Sequence, residues 1–269
     1  IVFVDDGSND LTWKIISSLK AKDPRIKAIK FSRNFGHQFA VTAGLEHCSG
    51  DCIAIIDADL QDPPRIILKM VALWQKGYFV IFGKRKKRIG ESVFKQVSAN
   101  YFYKILNKLA GEFMPRDTGE FRLIDKKINK YLMDMPENDR FLRGMIAWMG
   151  FPRIGIEYNR DKREFGETKY TFRKMVSLAA SAIFSFSIKP LRLSIILGAL
   201  STVLALFIFI YAVSMKIVGS PVPNWPALVL ISFFSGVQLL SIGVLGEYVG
   251  RAFIQTKQRP KYIIEKIIE

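Results

Sequence analysis

Cysteine and histidine are nearly absent, with two of each in 269 residues. Cys48 and Cys52 form a C-x-x-x-C pair beside two scattered histidines, a poor set for zinc, which takes four nitrogen, sulfur or carboxylate ligands. Cys52 opens an apolar strand, so reduced core residues of a cytosolic domain are expected. Acidic side chains are also few, 24 against 40 basic ones, for a net charge of +16. That balance suits nucleic acid, anionic lipid or phosphorylated substrates. Two long apolar runs in the C-terminal third favour the last two, and no nucleic-acid partner is expected. No signal peptide is expected. The chain opens on Ile1, inside an apparent strand rather than at a Met, and a preceding segment is expected.

Charge is missing altogether from two stretches. Leu193 to about Met215 carries none and is long enough to cross a bilayer core of about 30 Å. Ala227 to about Leu245 is a second such run, with the helix expected to continue to about residue 249. Pro221, Pro223 and Pro226 lie in the short connection, which predicts a helical hairpin over 191–250. Lys189 and Arg192 precede the pair, and Arg251, Lys257, Arg259 and Lys261 follow it, whereas the connection has only Lys216. The positive-inside bias then puts both termini and the soluble domain in the cytoplasm, on the plasma membrane.

The soluble part is organised around Ile53-Ala54-Ile55-Ile56-Asp57-Ala58-Asp59-Leu60-Gln61-Asp62-Pro63-Pro64. Its apolar start reads as a central strand, buried on both faces as in a parallel sheet. The two prolines block further ladder pairing and suit the first turn of a helix. Asp57 and Asp59 therefore fall at the carboxyl end of a strand, where open α/β sheets bind ligands. Paired carboxylates repel unless a cation lies between them, and hard Mg²⁺ or Mn²⁺ takes oxygen ligands shared with phosphates. Gln61 adds a carbonyl oxygen. The alternative is one Asp capping the next helix and the other solvated.

Around that stretch, strands and helices alternate. Residues 1–4 read as a strand before Asp5-Asp6-Gly7-Ser8, then a helix to about Ala21; Arg25–Phe31 is a strand, followed by a helix to about Cys48. A helix from Pro64 to about Gln75 leads to strand Tyr78–Phe82. The alternation predicts an α/β, Rossmann-like, mainly parallel sheet with flanking helices. A basic run, Lys84–Arg88, leads to an amphipathic helix from Ser92 to about Leu109, and Thr171–Ser187 reads as an interfacial helix. A polar loop at Asp117 enters a short strand, Asp139 opens a helix through Met149, and Pro152–Tyr158 is another strand. The expected divisions are a catalytic domain at 1–165, a juxtamembrane helix at 166–190, the hairpin and a tail at 251–269.

Six motifs stand in order: Asp5-Asp6-Gly7-Ser8, Arg33-Asn34-Phe35-Gly36-His37-Gln38, the Asp57–Pro64 stretch, Asp117-Thr118-Gly119-Glu120-Phe121-Arg122-Leu123, Arg140-Phe141-Leu142-Arg143-Gly144, and Gly166-Glu167-Thr168-Lys169-Tyr170. With the hairpin behind them, the chain resembles the family-2 glycosyltransferases of the GT-A fold. Within these it resembles the polyprenyl-phosphate glycosyltransferases, a group that includes dolichol-phosphate mannose synthases and bacterial undecaprenyl-phosphate glucosyltransferases. The resemblance implies that Asp5 and Asp6 contact the base and ribose of a nucleotide sugar. Asp57, Asp59 and Gln61 would hold the divalent ion on its diphosphate. Arg85 would bind the lipid phosphate, with Lys95 and Ser98 assisting. Asp117 would sit by the reacting sugar, and Arg122, Arg140, Arg143, Arg163 and Lys169 would line a phosphate-rich face. The family's first strand, with its nucleotide-contacting residues, is absent here, and Thr168 stands where Ser is commoner.

What the resemblance implies chemically is inverting, metal-dependent sugar transfer to a polyprenyl (undecaprenyl or dolichyl) phosphate, with UDP-glucose the first donor expected. The bilayer is a partner, and paired hairpins make a homo-oligomer plausible. A processive polysaccharide synthase on the same fold is a rival, but its Gln-x-x-Arg-Trp motif is missing and only two spans are visible. A non-catalytic, basic, membrane-tethered binding module is the other rival, and it leaves the acid pair unexplained.

Overall fold

The computed structural model describes residues 1–85, 118–138, 140–159, 183–184, 187–219 and 225–269. The first strand, β1 (Val2–Asp5), pairs in parallel with β2 (Lys27–Phe31), and α1 (Thr12–Lys22) crosses between them. After β2 comes α2 (His37–Glu46), then β3 (Cys52–Ile55), α3 (Ile66–Trp74) and β4 (Val80–Arg85). Thus far the alternation read from periodicity holds, with ends shifted by one to three residues, as boundary definitions allow.

The sheets are mixed rather than mainly parallel. Strand β5 (Thr118–Asp125) runs antiparallel between β3 and β4, giving the order β3-β5-β4-β6, where β6 (Arg153–Tyr158) lies parallel to β4. Among the described residues β3 has one strand neighbour, β5. Of its apolar run only Ile53 is buried, and Ile56 just beyond it is 36% exposed. The other antiparallel addition comes from the tail. Strand β7 (Ile264–Ile268) closes the open edge of β2, with Ala28 opposite Ile268 and Ile29 opposite Ile267.

Two helices follow β5: α4 (Lys126–Asp134), which the sequence reading did not anticipate, and α5 (Leu142–Trp148). Asp125 caps α4 by accepting the Lys127 amide at 2.7 Å, satisfying one of the orphan donors of a helix start. The period-2 alternation of β5 then sorts its side chains onto two cores. Phe121 and Leu123 pack with Ile66 and Met70 of α3, while Ile124 packs with Ile128 and Leu132 of α4 and Met145 of α5. Glu120 and Arg122 share the Ile124 face, and that parity puts two charges beneath α5.

The C-terminal third holds α6 (Lys189–Ile217) and α7 (Trp225–Thr256). Both are long and apolar enough to cross a membrane, and they pack on each other. Large apolar side chains such as Phe207, Phe209, Leu239 and Phe253 point outward from them. The end of α7 is tied to the α/β part. Gln255 donates to the Pro136 carbonyl at 2.6 Å and accepts the Asn138 amide at 2.8 Å. Residues 251–269 thus comprise the end of α7 and the strand β7.

Candidate functional site

Beyond β3 the chain turns through Asp57–Asp62. Leu60 takes a left-handed conformation (φ 57°), uncommon for a leucine, and Asp59 accepts the Gln61 amide at 3.1 Å. Asp62 is fully buried and accepts the hydroxyl of Tyr158, the last residue of β6, at 2.5 Å. The turn is therefore pinned to the sheet, and Asp57 and Asp59 stand in front of it.

Asp57 faces the start of α2, its Oδ1 lying 3.7 Å from Nε2 of His37. Burial raises the Asp57 pKa; His37 opposes the rise, and the carboxylates of Asp59, Asp62 and Glu120 add to it. Four acids thus share one neighbourhood, balanced in part by one imidazole. Among the described residues no group of three or more His, Cys, Asp or Glu side chains is placed to hold a metal ion.

Behind the acids lies a second polar group. Glu120 Oε1 accepts Arg143 Nε at 2.5 Å and Gln38 Nε2 at 3.1 Å, while its Oε2 accepts Arg122 at 3.2 Å. Gln38 also accepts the Leu142 amide at 3.2 Å, which joins α2 to the start of α5. Burial by itself would raise the Glu120 pKa, but Arg122 and Arg143 outweigh it and hold the acid below its ordinary value. Three of the sequence motifs meet in this one cluster.

The far side of the site is the β1 end. Asp5 is 2% exposed; its Oδ1 accepts the Ser8 amide at 2.8 Å, and its Oδ2 has no hydrogen-bond partner among the described residues. A buried acceptor left open in this way suits a donor brought by a ligand. Asp6 accepts the amides of Phe35 and Gly36 at 2.7 and 2.9 Å, clamping the loop between β2 and α2. Gly7 (φ 72°) lets that approach happen, since a Cβ there would come within 2.3 Å of the Arg33 carbonyl carbon.

Of the residues singled out from sequence, Asp57, Asp59 and Gln61 share the turn after β3, and Asp5 and Asp6 sit at the end of β1. Two arginines are placed otherwise. Arg122, 4% exposed, donates to the carbonyls of Gly119 and Glu120 besides the Glu120 carboxylate. Arg140, 3% exposed, donates to the carbonyls of Leu132 and Met135, which end α4. Neither lines an open phosphate-binding face. Both donate to main-chain carbonyls of the strand and helix they pack on. Arg143 is partly exposed and combines its Glu120 bond with access to solvent. Arg85 ends β4. Lys95, Ser98, Asp117, Arg163 and Lys169 lie outside the described residues, as do the helix Ser92–Leu109 and most of Thr171–Ser187. His37, Gln38 and Glu120 stand within the sequence motifs, and the sequence assigns them no role. The alternation of β5 was the available signal for Glu120.

Residues 1–133 match the family model for glycosyl transferase family 2. The uncharacterized glycosyltransferase YkcC of Bacillus subtilis is 43% identical, over 99% of this chain and 83% of its own length. A prophage bactoprenol glucosyl transferase homolog of Escherichia coli is 40% identical over 99% of this chain and 88% of its own. The bactoprenol glucosyl transferase of Shigella phage SfII is 40% identical, over 99% of this chain and 87% of its own.

Proposed function

The chain belongs to glycosyl transferase family 2, and from that premise we propose that it moves a sugar, glucose first among the candidates, from a nucleotide sugar to a polyprenyl phosphate at the cytoplasmic membrane face. The carrying observation is the acid turn. Asp57 and Asp59 stand before a pinned loop, in a chain 40% identical to a bactoprenol glucosyl transferase and bearing two helices long enough to cross a bilayer.

Asp57 and Asp59, with the Gln61 carbonyl, would hold Mg²⁺ or Mn²⁺ together with diphosphate oxygens. A cation bound there supplies electrophilic stabilisation of the departing nucleoside diphosphate. The open Oδ2 of Asp5 supports its reading as an acceptor for a base N–H, and Asp6 keeps the adjoining loop in place. The acceptor phosphate is already anionic near neutral pH and needs little activation. What remains is aligning its oxygen with the anomeric carbon and bringing two phosphates together against their repulsion. Arg143, partly exposed on the site's flank, is placed for that task, and Arg85, whose backbone ends β4, is proposed as a second cation for it. Attack in line with the leaving group inverts the anomeric carbon. Asp117 is proposed to position the sugar.

The polyprenyl tail stays in the bilayer, so the site must come down to the headgroups. The hairpin α6–α7 serves as that anchor, with its connection outside and both ends in the cytoplasm. The test is a panel of radiolabelled UDP- and GDP-sugars offered to membranes containing the full chain and undecaprenyl phosphate. Label from one donor, UDP-glucose first, is expected in the lipid fraction. Label from none of them would refute the reaction.

A further inference from the structure

The C-terminal strand β7 has no place in the reaction just described, yet it closes the sheet that carries the donor side of the site. Without it the outer edge of β2 would be unpaired among the described residues. Its contacts gather on one short stretch. The ring of Tyr262 stacks on Phe31, the last residue of β2, at 4.7 Å between centroids and 19° between planes. Its hydroxyl donates to Glu46, the last residue of α2. The neighbouring Ile263 carbonyl accepts the Ser32 amide at 3.0 Å. Burial and the Glu46 carboxylate both raise the Tyr262 pKa, as a half-buried phenol giving its proton to an acid requires.

One residue thus holds the end of the strand before the Ser32–Gly36 loop and the far end of the helix after it. That loop is the one Asp6 clamps by the amides of Phe35 and Gly36, and α2 begins on His37, beside Asp57. The same tail is covalently continuous with α7, whose Gln255 is bonded to residues 136 and 138. We propose that Tyr262 is a positioning residue for donor binding: the tail behind the membrane helix sets the Ser32–Gly36 loop, and with it the nucleotide pocket between Asp5, Asp6 and Asp57. The proposal rests on the donor-site reading above. Losing the phenol should therefore act on the nucleotide sugar and leave the lipid acceptor and the chemical step alone.

The experiment compares the full chain, in membranes, with Tyr262→Phe, which keeps the stack, and Tyr262→Ala, which loses it. With UDP-glucose, or whichever donor the panel selects, Tyr262→Ala should raise the donor KM about tenfold and Tyr262→Phe about threefold. kcat and the acceptor KM should stay within about twofold. Amide exchange should speed up at residues 32–36 while β4 and β5 keep their protection. An unchanged donor KM overturns the proposal, as does a lower kcat with KM fixed, which loss of folded enzyme would give. Exchange accelerated throughout the chain in both variants also overturns it, since the phenol would then be an ordinary core group. Exchange needs no substrate, so localised loosening with no sugar transfer by the parent chain would sink the reaction while leaving the tail's hold on the loop in place.

Discussion

Glu120 shows how a charge can be both structural and close to chemistry. Its carboxylate is shared among Arg122, Arg143 and Gln38, with Arg122 and Glu120 both almost entirely out of water. Breaking one partner of a buried pair strands the other, a loss of about 3 kcal/mol or more. Glu120→Gln is expected to destabilise the full chain by that order, read from unfolding of the purified protein. The sign with pH follows from the depressed acid. A carboxyl held below its ordinary 4.5 contributes stability above that value and loses it as pH falls through the lower folded value. The melting temperature should drop on acidification below 4.5, and Glu120→Gln should flatten that part of the profile. The acid turn itself was legible in the sequence as a turn, because two prolines after an apolar run end the strand there. The fates of Arg122 and Arg140 were not. Whether an arginine faces solvent or a strand's carbonyls depends on which segment packs over it, and that segment is remote in sequence.

At the scale of elements, the alternation from β1 to β4 followed from local periodicity, with Gly and Pro marking the turns. The insertion of β5 between β3 and β4 did not, because strand order is decided by contacts across a long connection. Neither did β7, whose Ile-Glu-Lys-Ile-Ile has no strict alternation to separate strand from helix. The β4–β6 pairing carries its own constraint. A Cβ on Gly83 would lie 2.6 Å from the Tyr158 ring and 3.0 Å from the Phe121 ring, at the point where the β4–β5 register shifts. Tyr158 is also the residue that holds Asp62. Gly83→Ala should therefore displace that ring, lower stability by about 1–3 kcal/mol, and reduce sugar transfer more than the stability loss accounts for. Thermal melts alongside initial rates would separate the two; a variant that melts and turns over like the parent would show the ring free to move.

For the whole molecule, the question is how a polar site and a lipid acceptor come together. The two apolar helices were plain from the lack of charge in 193–215 and 227–245, and the structure adds that α7 runs on past Arg251 to Thr256 and is bonded to the α/β part. A reporter fused at Gly219 should report the outside of the membrane and one at Glu269 the cytoplasm; a cytoplasmic Gly219 would reverse the orientation and strand the site on the wrong face. The proposal that the acid turn holds a cation is tested most directly by the transfer of label from the donor to undecaprenyl phosphate, with and without chelator, in the parent chain and in Asp59→Ala. Transfer should fall at least about a hundredfold with either change, and added Mg²⁺ or Mn²⁺ should restore only the parent chain. Equal label in all four reactions would mean that Asp57 and Asp59 gather no ion in catalysis.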